Sequence, residues 1–318
     1  MKPDTPAIKL AKPEPLLRVE GLKQYFRINK RFTVRAVDGV TFDIYPGETY
    51  GLVGESGSGK STIGRSVIRL YTPTDGKIIF RGHDVSSRLT AEDSMMLHTK
   101  MQMIFQDPMS SLNPRKKVID IIAQGLDIHK GYANRQDRTE NVYAMLEKVG
   151  LSRDHANRYP HQFSGGQRQR IGIARALIQN PDLIIADEAI SALDVSIQAQ
   201  IVNLMRKIQR ETHTAYLFIA HDLSMVKYLS DRIGVLHYGH LVETGTKDEI
   251  FESPLHPYTQ SLISAIPHPN PAVEKHRVPL SYDYKQSGVV YNEGRYHLVS
   301  GSHYLLATDR EFERWTRR

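Results

Sequence analysis

The stretch Gly54-Glu55-Ser56-Gly57-Ser58-Gly59-Lys60-Ser61-Thr62 directly follows the apolar run Tyr50-Gly51-Leu52-Val53. From Gly54 to Ser61 it matches G-x-x-x-x-G-K-[ST], a phosphate-binding loop between a buried strand and a helix. Closely spaced glycines let backbone N–H groups surround phosphate oxygens, and the helix that follows adds its positive N-terminal end. Lys60 is expected to reach the outer phosphates and Ser61 to offer its hydroxyl to Mg²⁺. The pattern predicts a site for a nucleoside triphosphate, and a flexible Gly/Ser turn is the simpler alternative.

The composition is that of an ordinary soluble globular protein. The chain has 318 residues, of which 40% are hydrophobic and 24% charged, enough for one or two domains. Lys+Arg 42 against Asp+Glu 35 gives a net charge of +7. This balance is compatible with nucleic acid or an anionic membrane face as a partner, and equally with a solvated basic surface.

Several functions are excluded by what the sequence lacks. Cysteine is absent, so the chain can form neither disulfides nor a cysteine-ligated iron–sulfur cluster. No apolar stretch approaches the roughly 20 residues that span a bilayer. The Pro- and Lys-rich segment 1–15 lacks the apolar core of a signal peptide, and we expect it to be a flexible tail. Any role at a membrane must therefore depend on a partner.

Apolar runs alternate with helical patterns, which predicts an α/β fold with a parallel sheet. The uninterrupted runs 183–186 and 216–220 are typical of buried parallel strands. Apolar residues at helical spacing predict a helical insertion over residues 109–168, with one helix covering 118–126. Further strands are predicted at 17–20, 37–44 and 77–80.

Proline-rich segments after residue 252 mark a change of composition. Tyrosines on alternating segments predict small hairpins, followed by a short helix at 309–315. We expect the Tyr-rich hairpins to form a packing surface or a subunit-contact surface. The histidines in this region match no zinc-ligand spacing, so we interpret them as scattered surface residues. They are His268, His276, His297 and His303.

Two carboxylates end the strand Leu183-Ile184-Ile185-Ala186-Asp187-Glu188. A metal-bound triphosphate needs one carboxylate for Mg²⁺ and one group to orient the attacking water. Asp187 suits the first role and Glu188 the second. The alternative is that these are two acids at a sheet edge without a catalytic role. The presence of the glycine loop in the same chain favours the catalytic interpretation.

A second helix start suited to anions lies at Ser164-Gly165-Gly166-Gln167. Ser164 is a fitting N-cap, the two glycines leave backbone N–H groups accessible, and an apolar helix follows. A simple capped helix is the alternative interpretation.

Together with three further motifs, these segments resemble the ATP-binding subunits of ABC transporters over about residues 17–250. The motifs are Gln106 in Ile104-Phe105-Gln106-Asp107-Pro108, Asp194 in Ser191-Ala192-Leu193-Asp194, and His221 in Ala220-His221-Asp222. The resemblance implies a P-loop NTPase (RecA-like) core with an antiparallel β subdomain, an inserted helical subdomain and a small C-terminal extension. The cassette would cover 16–251 and the extension 252–318.

The resemblance also implies roles for single residues. Phe26, or alternatively Tyr25, would stack on adenine. Gln106 would contact Mg²⁺ and the attacking water, and His221 would contact the γ-phosphate. Ser164-Gly165-Gly166-Gln167, with Asp194, would face ATP held by the opposite subunit. The chain departs from the family at Ala189, where a proline usually follows the catalytic glutamate.

Segments 107–115, 194–200 and 256–267 are similar to the ATPases of oligopeptide and dipeptide permeases, most of all to the second (F-type) ATPase. The resemblance implies ATP and Mg²⁺ as cofactors, without an iron–sulfur cluster. The implied partners are a second homologous ATPase, two transmembrane permease subunits and an extracytoplasmic peptide-binding protein, and no nucleic acid. The implied location is peripheral, on the cytoplasmic face of the cell membrane.

Other functions remain open at this point. The main ones are a soluble ABC-type ATPase that acts on nucleic acid or ribosomes, and an importer ATPase for nickel or another small solute. A GTPase is disfavoured because Asn29-Lys30-Arg31-Phe32 lacks the acid of a guanine-reading segment. A small-molecule kinase would leave Ser164-Gly165-Gly166-Gln167 and His221 unexplained.

Overall fold

The computed structural model describes residues 14–267, 274, 275 and 277–317, without the side chains of Pro108 and Met109. Of the expected tail 1–15, residues 1–13 lie outside the described residues, as do His268 and His276.

The described residues form two β-sheets. The strands are β1 Leu17–Arg27, β2 Thr33–Ile44, β3 Thr49–Val53, β4 Asp75–Phe80, β5 His83–Asp84, β6 Met101–Ile104, β7 Leu183–Asp187, β8 Ala215–Ile219, β9 Arg232–His237, β10 His240–Thr246, β11 Arg295–Ser300 and β12 His303–Ala307.

Helices surround these strands and fill the segment between β6 and β7. No helix in the described part of the chain is both long and apolar enough to cross a bilayer. The helices are α1 Lys60–Val67, α2 Ala91–Lys100, α3 Pro108–Ser111, α4 Val118–Ile122, α5 Gln124–His129, α6 Arg135–Lys148, α7 Gly165–Leu177, α8 Val195–Thr212, α9 Leu223–Leu229, α10 Lys247–Glu252, α11 Pro257–Ser264, α12 Tyr284–Ser287 and α13 Asp309–Thr316.

The main sheet has the strand order β11-β12-β10-β9-β3-β8-β7-β6. Its strands from β6 to β9 run parallel, and every residue of β3, β7 and β8 is buried. Each fully buried Leu or Ile contributes about 1.5–3 kcal/mol, so these strands form a strong core. The predicted α/β class is confirmed. Because parallel strands end at the same edge, the loops after β3, β6, β7 and β8 meet there.

A second, antiparallel sheet with the order β2-β1-β4-β5 covers one side of the main sheet. The two sheets share one hydrophobic cluster, which includes Leu17, Phe42, Tyr50 and Ile63. The rings of Phe42 and Tyr50 stack with centroids 5.0 Å apart. This packing places β2 against the glycine loop.

The helical segment differs from the sequence prediction at one point. The single helix predicted over 118–126 is two helices, α4 and α5, which meet at Ala123. Ala123 has φ −72° and ψ −4°, a local departure from regular helical backbone, but helical hydrogen bonds from the N–H of Ala123 to Ile119 and from the N–H of Asp127 to Ala123 continue across it. Val118, Ile122 and Leu126, which are spaced by four residues, lie in the same hydrophobic core as residues of α6 and α7.

The C-terminal hairpin of β11 and β12 is part of the main sheet. β12 pairs antiparallel with β10, in the register Glu243 with Leu305. The interpretation of His303 as a surface residue was wrong: its side chain is buried, and its Nε2 donates to Glu243 Oε1 at 2.7 Å. His297 is half-buried. The described part of the chain holds no group of three or more His, Cys, Asp or Glu residues that could bind a metal ion.

Glu243 joins three segments through one buried carboxylate. It accepts hydrogen bonds from the backbone N–H groups of Leu255 and His256, in addition to the one from His303. A buried carboxylate with three donors is stable, but each donor would be costly to leave without an acceptor.

We therefore expect Glu243→Ala to lower the free energy of unfolding by about 3–5 kcal/mol, because two buried donors and one partly buried donor lose their acceptor. Chemical denaturation measures the change. Glu313→Ala is the matched control, since Glu313 pairs with Arg317 on the exposed face of α13. The control should change the free energy by less than about 0.5 kcal/mol. Equal stabilities of the two variants would contradict the prediction.

Candidate nucleotide-binding site

The glycine loop between β3 and α1 lies against the backbone of two other strands. A Cβ atom on Gly54 would come within 2.1 Å of the carbonyl oxygen of Leu236, and one on Gly59 within 2.3 Å of that of Ala36. Both glycines also have positive φ angles, 151° and 108°. Only glycine fits such a backbone at such a distance. The loop is therefore fixed between β2 and β9.

Lys60 is the buried cation of the site, with 4% of its surface exposed. Its Nζ donates to the carbonyl oxygens of Gly54 and Glu55, both at 2.8 Å, and to Ser58 Oγ at 3.3 Å. Burial lowers the pKa of Lys60, and the nearby carboxylates of Glu188 and Asp187 oppose this shift. The ammonium group is thus held by neutral acceptors that a phosphate can replace.

Asp187 and Ser61 place two oxygen ligands side by side. Ser61 Oγ donates to Asp187 Oδ1 at 2.6 Å, and an Nη of Arg65 lies 3.6 Å from the other carboxylate oxygen. Burial raises the pKa of Asp187, although the hydrogen bond from Ser61 and the positive charge of Arg65 each lower it. A carboxylate and a hydroxyl are the hard oxygen donors that Mg²⁺ prefers, so these residues fit the ion.

Glu188 is held by side chains from two neighbouring loops. Gln106 Nε2 donates to Glu188 Oε2 at 2.8 Å, and His221 Nδ1 lies 3.7 Å from the same oxygen. The backbone of Glu188 has φ 47°, which is unusual for a residue with a side chain. A proline at position 189 would disfavour this conformation, because it restricts the preceding residue to extended backbone. Ala189 therefore permits the observed geometry.

The helix start at Ser164 forms a second, separate group. Ser164 Oγ accepts the N–H of Gln167 at 3.3 Å, and Gln167 Oε1 accepts the N–H of Ser164 at 3.0 Å. A Cβ on Gly166 would lie 2.5 Å from a methyl group of Ile197, so α7 packs tightly on the start of α8, where Asp194 is the N-cap. Within the described residues, no hydrogen bond joins this group to the glycine loop of the same chain.

The two aromatic candidates for adenine stacking, Tyr25 and Phe26, have different environments in the structure. The Tyr25 hydroxyl donates to Asp38 Oδ1 at 2.5 Å, and Arg35 lies over its ring. Phe26 is half-buried and makes an edge-on contact with Tyr71. Phe26 is therefore the better candidate. Of the other predicted loop residues, Ser56 and Gly57 are exposed, whereas Thr62 is half-buried.

Two residues of the site were missed by the sequence analysis. Arg65 approaches Asp187 and follows Ser61 by four positions, so helical spacing could have indicated it. The Tyr258 hydroxyl accepts a hydrogen bond from the backbone N–H of Glu55 at 2.9 Å. No local signal could have indicated this contact, because 203 residues separate the partners.

Comparison with known proteins identifies the family. The family model described as ABC transporter matches residues 37–191, and the one described as Oligopeptide/dipeptide transporter, C-terminal region, matches residues 242–293. The oligopeptide transport ATP-binding protein OppF of Bacillus subtilis (strain 168) is 58% identical over 94% of this chain and 98% of its own length. The chain belongs to the oligopeptide/dipeptide transport ATP-binding proteins of the ABC transporter family.

Other members of this family are similar along most of the chain. The Streptococcus mutans OppF is 54% identical over 93% of this chain and 96% of its own length. The dipeptide transport ATP-binding protein DppF of Lactococcus lactis subsp. cremoris is 49% identical over 96% and 97%. The family predicted from the motif order is confirmed.

A solved structure supports the same fold. The dimeric ATP-binding cassette MJ0796, bound to ADP and Pi in a post-hydrolysis state, superposes with a TM-score of 0.66 at 26% identity. The match covers 73% of this chain and 98% of that one. The predicted ATP-binding cassette fold is therefore confirmed.

The raised pKa of Asp187 predicts a pH-dependent stability. Because its folded-state pKa lies above the ordinary value, the contribution of Asp187 to stability falls as the pH rises from about 4 through the folded-state pKa. We expect Asp187→Asn, without nucleotide, to be the more stable protein at neutral pH, and the difference to shrink toward about pH 4. Thermal unfolding across this range measures it. The exposed substitution Asp154→Asn is the control, and a less stable Asp187→Asn protein at neutral pH would contradict the prediction.

Proposed function

We propose that this chain hydrolyses MgATP at a site shared with a homologous ATPase subunit, and that closure of the pair energises peptide import through a membrane permease. The observation that carries the proposal is the meeting of four loops at one edge of the sheet. These loops bring together Lys60, Ser61, Gln106, Asp187, Glu188 and His221.

The glycine loop would hold the phosphates of ATP. The N–H groups at the start of α1 face this region, and Lys60 would exchange its carbonyl acceptors for phosphate oxygens. Ser61 and Asp187 would hold Mg²⁺, directly or through water, and Gln106 would also contact it. When bound, the ion would neutralise charge on the outer phosphates. Phe26 would stack on adenine.

Glu188 would orient the water that attacks the γ-phosphate. Its carboxylate is kept in place by Gln106, and His221 stands beside the same oxygen and would contact the γ-phosphate. The strained backbone of Glu188 fixes the direction of its side chain. Gln106 therefore connects the water-orienting group to the helical segment that begins at α3.

A second subunit would complete the site. The helix start formed by Ser164-Gly165-Gly166-Gln167 makes no hydrogen bond to the glycine loop of its own chain within the described residues, but it offers backbone N–H groups to an anion. The similar cassette MJ0796 is described as dimeric with ADP and Pi. If two subunits pack head to tail, this helix start and Asp194 would face ATP on the partner, and hydrolysis would release the contact.

Peptide as the transported substrate is supported by the relatives, whose names give oligopeptide or dipeptide transport. The chain would then work with two transmembrane permease subunits and, through them, with an extracytoplasmic peptide-binding protein. Its place would be at the cytoplasmic face of the membrane, as a peripheral subunit. The segment from Gln106 to Arg115, which includes α3, would contact the permease.

Replacing the water-orienting carboxylate tests the chemistry. We expect Glu188→Gln to lower ATP turnover at least about 100-fold, because the amide cannot act as a base, while ATP still binds. Steady-state ATPase assays of the assembled transporter measure turnover, and gel filtration with MgATP should show a trapped dimer of ATPase subunits. Glu211→Gln, on the exposed side of α8, is the control and should leave turnover unchanged. Normal turnover in Glu188→Gln would refute the role of Glu188.

Cross-linking tests the permease contact. Since the chain has no cysteine, Ser110→Cys introduces a single thiol on the exposed part of α3. We expect a cross-linker attached there to capture a permease subunit in membranes, identified by mass spectrometry. Lys207→Cys, exposed on α8, is the matched control and should capture none. Capture of soluble proteins alone from Ser110→Cys would argue against the contact.

A further inference from the structure

The first helix beyond the cassette, α11, reaches back to the glycine loop. Its Tyr258 is 1% exposed, and the hydroxyl accepts the backbone N–H of Glu55 at 2.9 Å. This N–H belongs to the second residue of the phosphate-binding motif. A group outside the cassette motifs therefore holds the first turn of the loop.

The Tyr258 ring is itself fixed by neighbouring rings. It stacks on His237 with centroids 3.9 Å apart and 29° between the planes. His237 Nδ1 forms a hydrogen bond with the hydroxyl of Tyr291. Burial lowers the pKa of His237 to about 4, so its ring is neutral near pH 7. The position of Tyr258 thus depends on close packing and not on a charge that titrates.

The start of α11 is anchored to the C-terminal hairpin through Glu243. The carboxylate of Glu243 accepts the N–H groups of Leu255 and His256 at 2.8 and 3.0 Å, directly before the helix, and the Nε2–H of His303 on β12. His256 Nδ1 then accepts the N–H of Tyr258 at 3.0 Å. A continuous series of hydrogen bonds runs from β12 to Tyr258.

The hydroxyl of Tyr258 contacts the backbone that holds Lys60. The Lys60 ammonium is bound by the carbonyl oxygens of Gly54 and Glu55, the two residues around the anchored peptide. The loop has further backbone contacts: the N–H of Gly239 donates to the carbonyl oxygen of Ser58 at 2.9 Å, and Gly54 packs against the carbonyl oxygen of Leu236. Loss of the Tyr258 contact would therefore free the N–H of Glu55, while the residues on either side of it stay held.

We propose that Tyr258 is a positioning residue for the glycine loop, through which the region C-terminal to the cassette sets the affinity for ATP. The inference rests on the proposed function, because it requires the ATP phosphates at this loop. Tyr258 would act through the loop backbone, without touching the nucleotide. It raises the fraction of loop conformations that are competent to bind, and affinity falls in proportion when that fraction falls.

Tyr258→Phe tests the inference, because it keeps the stacked ring and removes only the acceptor. We expect the KM for ATP of the assembled transporter to rise about 3- to 10-fold, the effect of one net hydrogen bond, with kcat within about twofold of wild type. The ATP affinity of the purified chain, measured by fluorescence titration, should weaken by the same factor. A role in packing alone would instead lower the unfolding temperature and leave KM unchanged.

Tyr216→Phe is the matched control. It also removes a buried tyrosine hydroxyl, and among the described residues that hydroxyl has no hydrogen-bond partner in the loop or in the His237 cluster. Its ATP affinity should equal that of wild type. Equal affinities of Tyr258→Phe and wild type, or equal losses in Tyr258→Phe and Tyr216→Phe, would overturn the inference while leaving the proposed function intact. A wild-type chain that failed to bind ATP would overturn both.

Discussion

The site depends on direct backbone contact between the glycine loop and two strands that flank it. Gly54 lies against the carbonyl oxygen of Leu236, and Gly59 against that of Ala36. Because any side chain at either position would force the strands apart, the loop has one path from β3 to α1. The positions of the Lys60 and Ser61 side chains follow from this backbone path. The contact also explains why the antiparallel sheet must pack firmly on the main sheet, since β2 forms one of the two walls.

Three locally unfavourable features lie at this edge of the sheet. Lys60 and Asp187 are both largely buried, and burial disfavours the charged form of each. Glu188 has a positive φ angle, which costs about 1–3 kcal/mol. Each of these features is held by the buried parallel strands behind it. Groups with disfavoured charges bind oppositely charged ligands readily, so the same arrangement that weakens the fold suits it to a metal-bound triphosphate.

The region beyond the cassette belongs to the same structural unit as the nucleotide site. β12 covers the edge of β10, which would otherwise present unpaired backbone groups to solvent. Glu243 and Tyr258 then link this edge to the glycine loop over a few hydrogen bonds. If Tyr258 positions the loop as proposed, a change in the C-terminal hairpin reaches Lys60 by this route and not through the four loops at the site.

The sequence by itself determined the features that depend on residues a few positions apart. These are the glycine loop, the acidic end of β7, the capped helix start at Ser164, the α/β class and the family. The tertiary structure alone decided that His303 is buried, because its partner Glu243 lies on a distant strand. It alone joined Tyr258 to Glu55 across 203 residues. Local patterns specify which groups a chain carries, whereas the pairing of strands and the closing of the core determine which of those groups meet.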